Sequence, residues 1–156
     1  MSDLEAIARE LITGSKYMVL GTADADGTPW VTPVFYTPDG YSDFYWVSSP
    51  DARHSRNIEA RPSASIAIFD SHVPIGKAEA VYMAAQAAQV PDDELEAAAA
   101  TFNSRLPADK QIGAGELQGP TPFRLYRATV TEHSVLIRGG DPRNDRGADD
   151  RLIVTL

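Results

Sequence analysis

Leu4, Ile7, Ala8, Leu11 and Ile12 recur at helical spacing, and Gly14 stands just past the last of them. That pattern predicts an amphipathic first helix closed by a glycine. Tyr17 to Ala23 reads as a strand, and Asp26-Gly27 is a strong hairpin signal. The next strand runs from about Pro29 to Thr37 and carries Pro33 inside it. A proline there implies an edge, a bulge or a place where the backbone makes no ladder bond. Asp39-Gly40 turns the chain into a strand over Phe44–Ser48, a helical stretch covers Arg53–Arg61, Pro62 breaks it, and Ser65–Phe69 is a short buried strand. Between Lys77 and Val90, Ala80, Tyr82, Ala84 and Gln86 alternate with Val81, Met83 and Ala85, which suits a strand. The alanines would also permit a helix.

From Asp92 to about Leu106 an acidic first turn precedes Leu95, Ala98, Ala99, Phe102 and Leu106 on one face, predicting a helix. Pro107–Pro122 is a Gly/Pro-rich connection too long for a simple turn, and is read as a functional or interface loop. Arg124–Thr131 and Ser134–Ile137 are expected to form a closing hairpin, Gly139–Ala148 a mobile polar loop, and Arg151–Leu156 the last strand. Six or seven strands in hairpin order with three helical pieces predict a mainly β (α+β) fold. The expected form is an antiparallel barrel flanked by helices, in a single domain over 1–156. The early turns are too short for the crossovers of a parallel sheet.

The net charge of -8 argues against general nucleic-acid or anionic-membrane binding, and makes the basic cluster Arg53, Arg56, Arg61 stand out. With no cysteine there is no disulfide, thiolate nucleophile or zinc-thiolate site. The acidic start lacks a signal-peptide pattern, and no apolar run approaches the ~20 residues that span a bilayer. A cytoplasmic location is the expectation. The sequence has no G-x-S-x-G, no G-x-G-x-x-G and no P-loop, and His54, His72 and His133 are scattered without paired metal-ligand spacing. Asp92-Asp93-Glu94 reads as a helix start. A chain without its own nucleophile is suited to holding a cofactor that carries the chemistry.

The strand end Val47-Ser48-Ser49, the Pro50-Asp51 turn and the helical stretch opening with Arg53, His54 and Ser55 supply what a phosphate needs. Backbone donors at a helix start are unpaired, the helix dipole favours an anion there, and Arg53 adds a charge-assisted fork. The alternative is a solvated helix whose arginines pair with Asp51 and Glu59. Trp30, Trp46, Tyr36 and Phe44 are expected in the barrel core or a dimer interface rather than against a cofactor ring.

The succession of a helix, Val19-Leu20-Gly21-Thr22, a D-G turn, Trp30-Val31-Thr32-Pro33-Val34, a second D-G turn, Trp46-Val47-Ser48-Ser49 and Arg53-His54-Ser55-Arg56-Asn57-Ile58 resembles the FMN-binding split-barrel family. That family includes pyridoxamine 5'-phosphate oxidases and flavin or deazaflavin reductases. The resemblance is close over about residues 5–90 and looser beyond. It implies a ribityl phosphate held by Ser48, Arg53 and His54, the flavin ring lying against Thr32, Pro33, Val34 and Phe35, and a polar contact from Glu79. It also implies a homodimer with sites at the interface, which Arg151 approaches from across it. An anionic Glu79 beside the ring would lower the reduction potential, and His54 on a phosphate would have a raised pKa. Vitamin B6 oxidases carry basic residues where this chain has Thr32 and Thr37, and its late segment Gly147-Ala148-Asp149-Asp150-Arg151 has no histidine. The implied activity is therefore FMN-dependent oxidation or reduction of a small molecule other than vitamin B6, any proton coming from Tyr36, His54 or water. The alternatives are a deazaflavin-dependent reductase and a non-catalytic flavin- or haem-binding module.

Overall fold

The computed structural model describes residues 2–156. Helix α1 (Asp3–Gly14) opens with a reciprocal cap: Glu5 N–H donates to Ser2 Oγ at 3.2 Å, and Ser2 N–H donates to the Glu5 carboxylate at 2.9 Å. Two otherwise orphaned donors are satisfied this way. Strands β1 (Tyr17–Ala23) and β2 (Pro29–Phe35) form the expected hairpin, with Gly27 at φ 85° in its turn. β2 ends the sheet, so Pro33, opposite Val19, sits where a missing N–H is tolerated.

Strands β3 (Thr37–Asp39) and β4 (Asp43–Ser48) flank Gly40, at φ 58°. Helix α2 (Arg53–Ala60), strands β5 (Ser63–Phe69) and β6 (Ala80–Gln89), helix α3 (Leu95–Asn103) and strands β7 (Arg124–Ile137) and β8 (Asp150–Val154) complete the chain. Alternation therefore prevails over alanine's helical bias in β6.

All pairings are antiparallel, in the order β2-β1-β5-β6-β7-β4-β3, with β8 beside β7. The fold is mainly β, an α+β half-barrel: the sheet curls so that Met18, Leu20, Tyr36, Phe44, Trp46, Ile66 and Val81 share one core with Ala8 and Ile12 of α1. A second core gathers Tyr45, Leu95, Phe102, Leu117 and Leu125 beneath α3.

The C-terminal third departs from the sequence reading. The expected closing hairpin is one 14-residue strand, β7. Thr131-Glu132-His133 contains no turn former, and the register shift at Ala84/Ala85 absorbs Thr131 as a bulge, its hydroxyl donating to Ala84 O at 3.1 Å. β7 then has room for β4 along its first half and β8 along its second. Within 107–122 lie two 3-10 turns, Ala108–Lys110 and Ala114–Leu117, and Leu117 is buried. The stretch 139–148, expected to be mobile, carries its own bonds: Asn144 donates to Ile137 O, Arg138 O and Ala148 O, and Arg143 forks onto Asp141. Among the described residues, no helix is long and apolar enough to cross a membrane.

Candidate functional site

Helix α2 leans on β1 through two side chains: Asn57 Nδ2 donates to Thr22 Oγ1 at 3.0 Å and Arg61 Nε to Ala23 O at 3.1 Å. This sets the start of α2 beside the β1–β2 turn and the first residues of β2. The first helical N–H to find a carbonyl is that of Arg56, on Ala52 O at 3.0 Å. The N–H groups of Arg53, His54 and Ser55 precede it, and Ala52 brings no capping side chain. The helix start is therefore open to an anion.

Arg53 extends from this start over the Trp30 ring, 4.4 Å from its centroid, and forks onto Asp24, Nη2 to Oδ2 at 2.5 Å and Nε to Oδ1 at 3.3 Å. The guanidinium bond holds the Asp24 carboxyl below its usual pKa. Nη1 of Arg53 is uncommitted among the described residues. His54 turns inward and shares a 2.8 Å hydrogen bond with Ser48 Oγ, both residues being buried. Burial pushes its imidazole below the ordinary histidine pKa. The Ser49 hydroxyl accepts the Asp51 N–H at 3.1 Å.

The other expected site residues are divided. Pro33 is exposed on one face of β2 and Thr32 is half-buried on the other, which it shares with Val34 of the barrel core, while Phe35 and Val47 pack on the second core. Ser55 is buried and lines a hollow with Tyr126 on another side of α2. Glu79 precedes β6 and lines a hollow with Lys16 and His72. Arg151 lies over the Tyr82 ring, 3.7 Å from its centroid, in a groove of about 440 Å³ that also includes Val31, Gly21 and Ser65. Those last three residues are shared with the hollow beside Trp30, so the two hollows adjoin.

Of the four aromatic residues expected inside, Trp46, Tyr36 and Phe44 are fully buried, while Trp30 is 39% exposed beneath Arg53. Tyr36 is removed from proton chemistry: its hydroxyl donates to Ile12 O at 2.5 Å, and burial pushes its pKa to about 12. Arg56 pairs with Asp51 at 3.5 Å, while Arg61 serves a backbone carbonyl. Asp24 escaped the sequence reading. Its signal was an acidic residue at a hairpin turn, in a chain with a basic cluster to neutralise.

An antiparallel half-barrel flanked by helices is the architecture of a split barrel. The chain matches the pyridoxamine 5'-phosphate oxidase family over residues 4–136 and belongs to that family. It is similar in structure to a haem-binding protein of Mycobacterium smegmatis, with TM-score 0.72 and 24% identity over 98% of this chain, and spans 59% of that protein. Similar too are HutZ, the haem storage protein of Vibrio cholerae (TM-score 0.70, 25% identity, 90% of this chain and 98% of that one), and an FAD-binding protein of Mesorhizobium loti (TM-score 0.64, 20% identity, 86% and 94%). No curated protein matches the chain.

Proposed function

We propose that this chain binds FMN, with the phosphate at the start of α2, and works as an oxidoreductase on an uncharged small molecule. The observation that carries this reading is the uncapped helix start with Arg53 beside it, lying over Trp30, which lines the neighbouring hollow. Arg53 and the backbone N–H groups of His54 and Ser55 would hold the phosphate, and Trp30 keeps the guanidinium in place. Bound flavin supplies the capacity to accept or give up hydride equivalents. Tyr36 is excluded as the proton source, and His54, neutral and tied to Ser48, is a poor one, so water is assigned that role.

Vitamin B6 is disfavoured as substrate. Thr37 is fully buried with its hydroxyl on Phe102 O at 2.7 Å, and Asp149 accepts the Gly139 N–H at 2.9 Å. Neither is a cation, and the first does not reach the surface. Losing two charge-assisted contacts weakens a phosphorylated substrate by about 10²–10⁴-fold.

The homodimer is part of the proposal. Tyr17, Val31, Phe69 and Ile153 are 63%, 66%, 50% and 70% exposed, and covering such apolar residues is what a permanent interface does. Glu79 lines a hollow that shares no residue with the one beside Trp30, so its contact to a flavin would come from the partner, as the family resemblance implies for Arg151.

A haem-binding module is the second reading, supported by the two haem-binding structural relatives. The histidines speak against it: His54 is bonded to Ser48, His133 Nε2 to Tyr41 O at 2.7 Å, and His72 lies on an exposed loop with Asp70. The test is gel filtration of the purified protein after incubation with FMN, a deazaflavin cofactor or haem. The expected result is flavin absorbance travelling with a species of about twice the chain mass, and no pyridoxal 5'-phosphate formed from pyridoxamine 5'-phosphate under air. Retention of haem without flavin would overturn the reading in favour of the second. Retention of the deazaflavin alone would point to the reductase alternative.

A further inference from the structure

Gly21 stands inside β1, where glycine weakens a strand through the freedom it gives the unfolded chain and the side chain it lacks. A glycine at such a place answers to a left-handed backbone, to a bulge or bend, or to the close approach of another group. The first two are absent. Gly21 is not among the glycines of positive φ, and β1 pairs with β2 and β5 without a shift of register, Gly21 opposite Val31 on one side and Ser65 on the other. Nor does the fold itself crowd the position. A Cβ here would lie 3.4 Å from Ser65 O, 3.6 Å from Ser65 Cβ and 3.9 Å from Val31 Cγ1, which is ordinary van der Waals contact. What remains is an approach from outside the chain.

The place suits one. Leu20 and Thr22 are buried, so position 21 faces outward. Gly21 lies in the floor common to the hollow beside Trp30, of about 340 Å³, and the groove beside Arg151, of about 440 Å³. Both volumes fall within the roughly 300–1,000 Å³ of small-molecule sites. Val31 and Ser65, the other residues common to the two, are exposed. A group that occupies both hollows crosses between these side chains, and a side chain at position 21 would stand in its way.

We propose that Gly21 is a specificity-determining position, the floor on which the flavin ring rests where any side chain would lift it. The proposal rests on the FMN reading, which fixes the phosphate end: Arg53 lies over Trp30, and Trp30 and Gly21 line the same hollow.

The test is titration of FMN and riboflavin into the full chain, Gly21→Ala and Gly21→Val, followed by flavin fluorescence, with thermal unfolding and light scattering of each protein. Riboflavin shares the ring, so both ligands are expected to weaken by the same factor, about tenfold to a hundredfold in Gly21→Val, the scale of overpacking a fitted contact, and less in Gly21→Ala. Stability is expected to move the other way, the thermal midpoint of Gly21→Ala rising by roughly 1–4 °C as the strand loses its glycine. Damage to the fold would not weaken binding and raise the midpoint together. Unchanged affinity for both ligands would overturn the proposal and leave the FMN reading standing, whereas a parent that binds neither flavin would overturn both. A loss confined to FMN, or a midpoint that falls in both variants, would also overturn it. So would a loss that comes with conversion of a dimer to monomer, which would make a partner subunit the group that approaches Gly21.

Discussion

The ends of helices α1 and α3 and the start of helix α2 treat their orphaned backbone groups in opposite ways. At the C-terminal ends of α1 and α3 the free carbonyls are closed by side chains from elsewhere in the fold. Tyr36 donates to Ile12 O, Thr37 to Phe102 O, and Arg105 to Thr13 O and Ser15 O, reaching the strand connection at Tyr36 O as well. At the start of α2 the free N–H groups are left alone, and the nearby side chains pair with one another, Arg53 with Asp24 and His54 with Ser48. A side chain bonded to a backbone carbonyl has no better partner to move to. A side chain bonded to another side chain can exchange it for a ligand. The first arrangement holds the structure, and the second is where binding would occur.

The comparison breaks most readily at Arg105. Arg105→Ala should remove about 2–4 kcal/mol of stability, since hydrogen bonds from a charged donor contribute about 1.5–3 kcal/mol each and their losses are not additive. Urea unfolding of the parent and the variant measures this. A loss under 0.5 kcal/mol would mean that the carbonyls find water at no cost. Thr37→Val keeps the shape and removes one donor, so a smaller loss of about 1–3 kcal/mol is expected, with cofactor affinity unchanged. A change in affinity with stability intact would return Thr37 to a binding role.

These contacts mark where the sequence stopped being legible. The hairpins of the first half were readable because their signals are local: Asp26-Gly27 and Asp39-Gly40 each sit between alternating segments. The place of Arg53 at a helix start was readable because a helix following a strand end is itself a local pattern. Thr37, by contrast, finds its acceptor 65 residues away and Arg105 reaches Ser15 across 90. No spacing along the chain announces such partners, and Thr37 looked like a replaced substrate ligand. The merging of two expected strands into β7 was hidden for the same reason, because the bulge that permits it depends on Ala84 and Ala85 of β6.

Burial also sets the pH response. His54 and His133 both have pKa values lowered mainly by burial. A base with a depressed folded pKa binds its proton more readily in the unfolded chain, so its contribution is present above the unfolded value of about 6.5 and is lost as pH falls. Urea midpoints should therefore decline from pH 7.5 to pH 5.5, and the decline should be shallower in His54→Gln. An identical slope in that variant would remove His54 from the account. The smallest expected effect is at Asp24. Asp24→Asn frees the Arg53 fork, and FMN should bind a few-fold more tightly, with riboflavin unaffected. Weaker FMN binding would instead make Asp24 a positioning residue for Arg53.

The phosphate seat itself is tested most directly by Arg53→Ala, with FMN and riboflavin titrated side by side and followed by flavin fluorescence. Riboflavin carries the same ring and lacks the phosphate. The expected result is a loss of about tenfold to a hundredfold in FMN affinity, the range of a hydrogen bond to a charged group, with riboflavin affinity nearly unchanged. Equal losses for the two ligands, or none for either, would contradict the assignment of the α2 start as the phosphate seat.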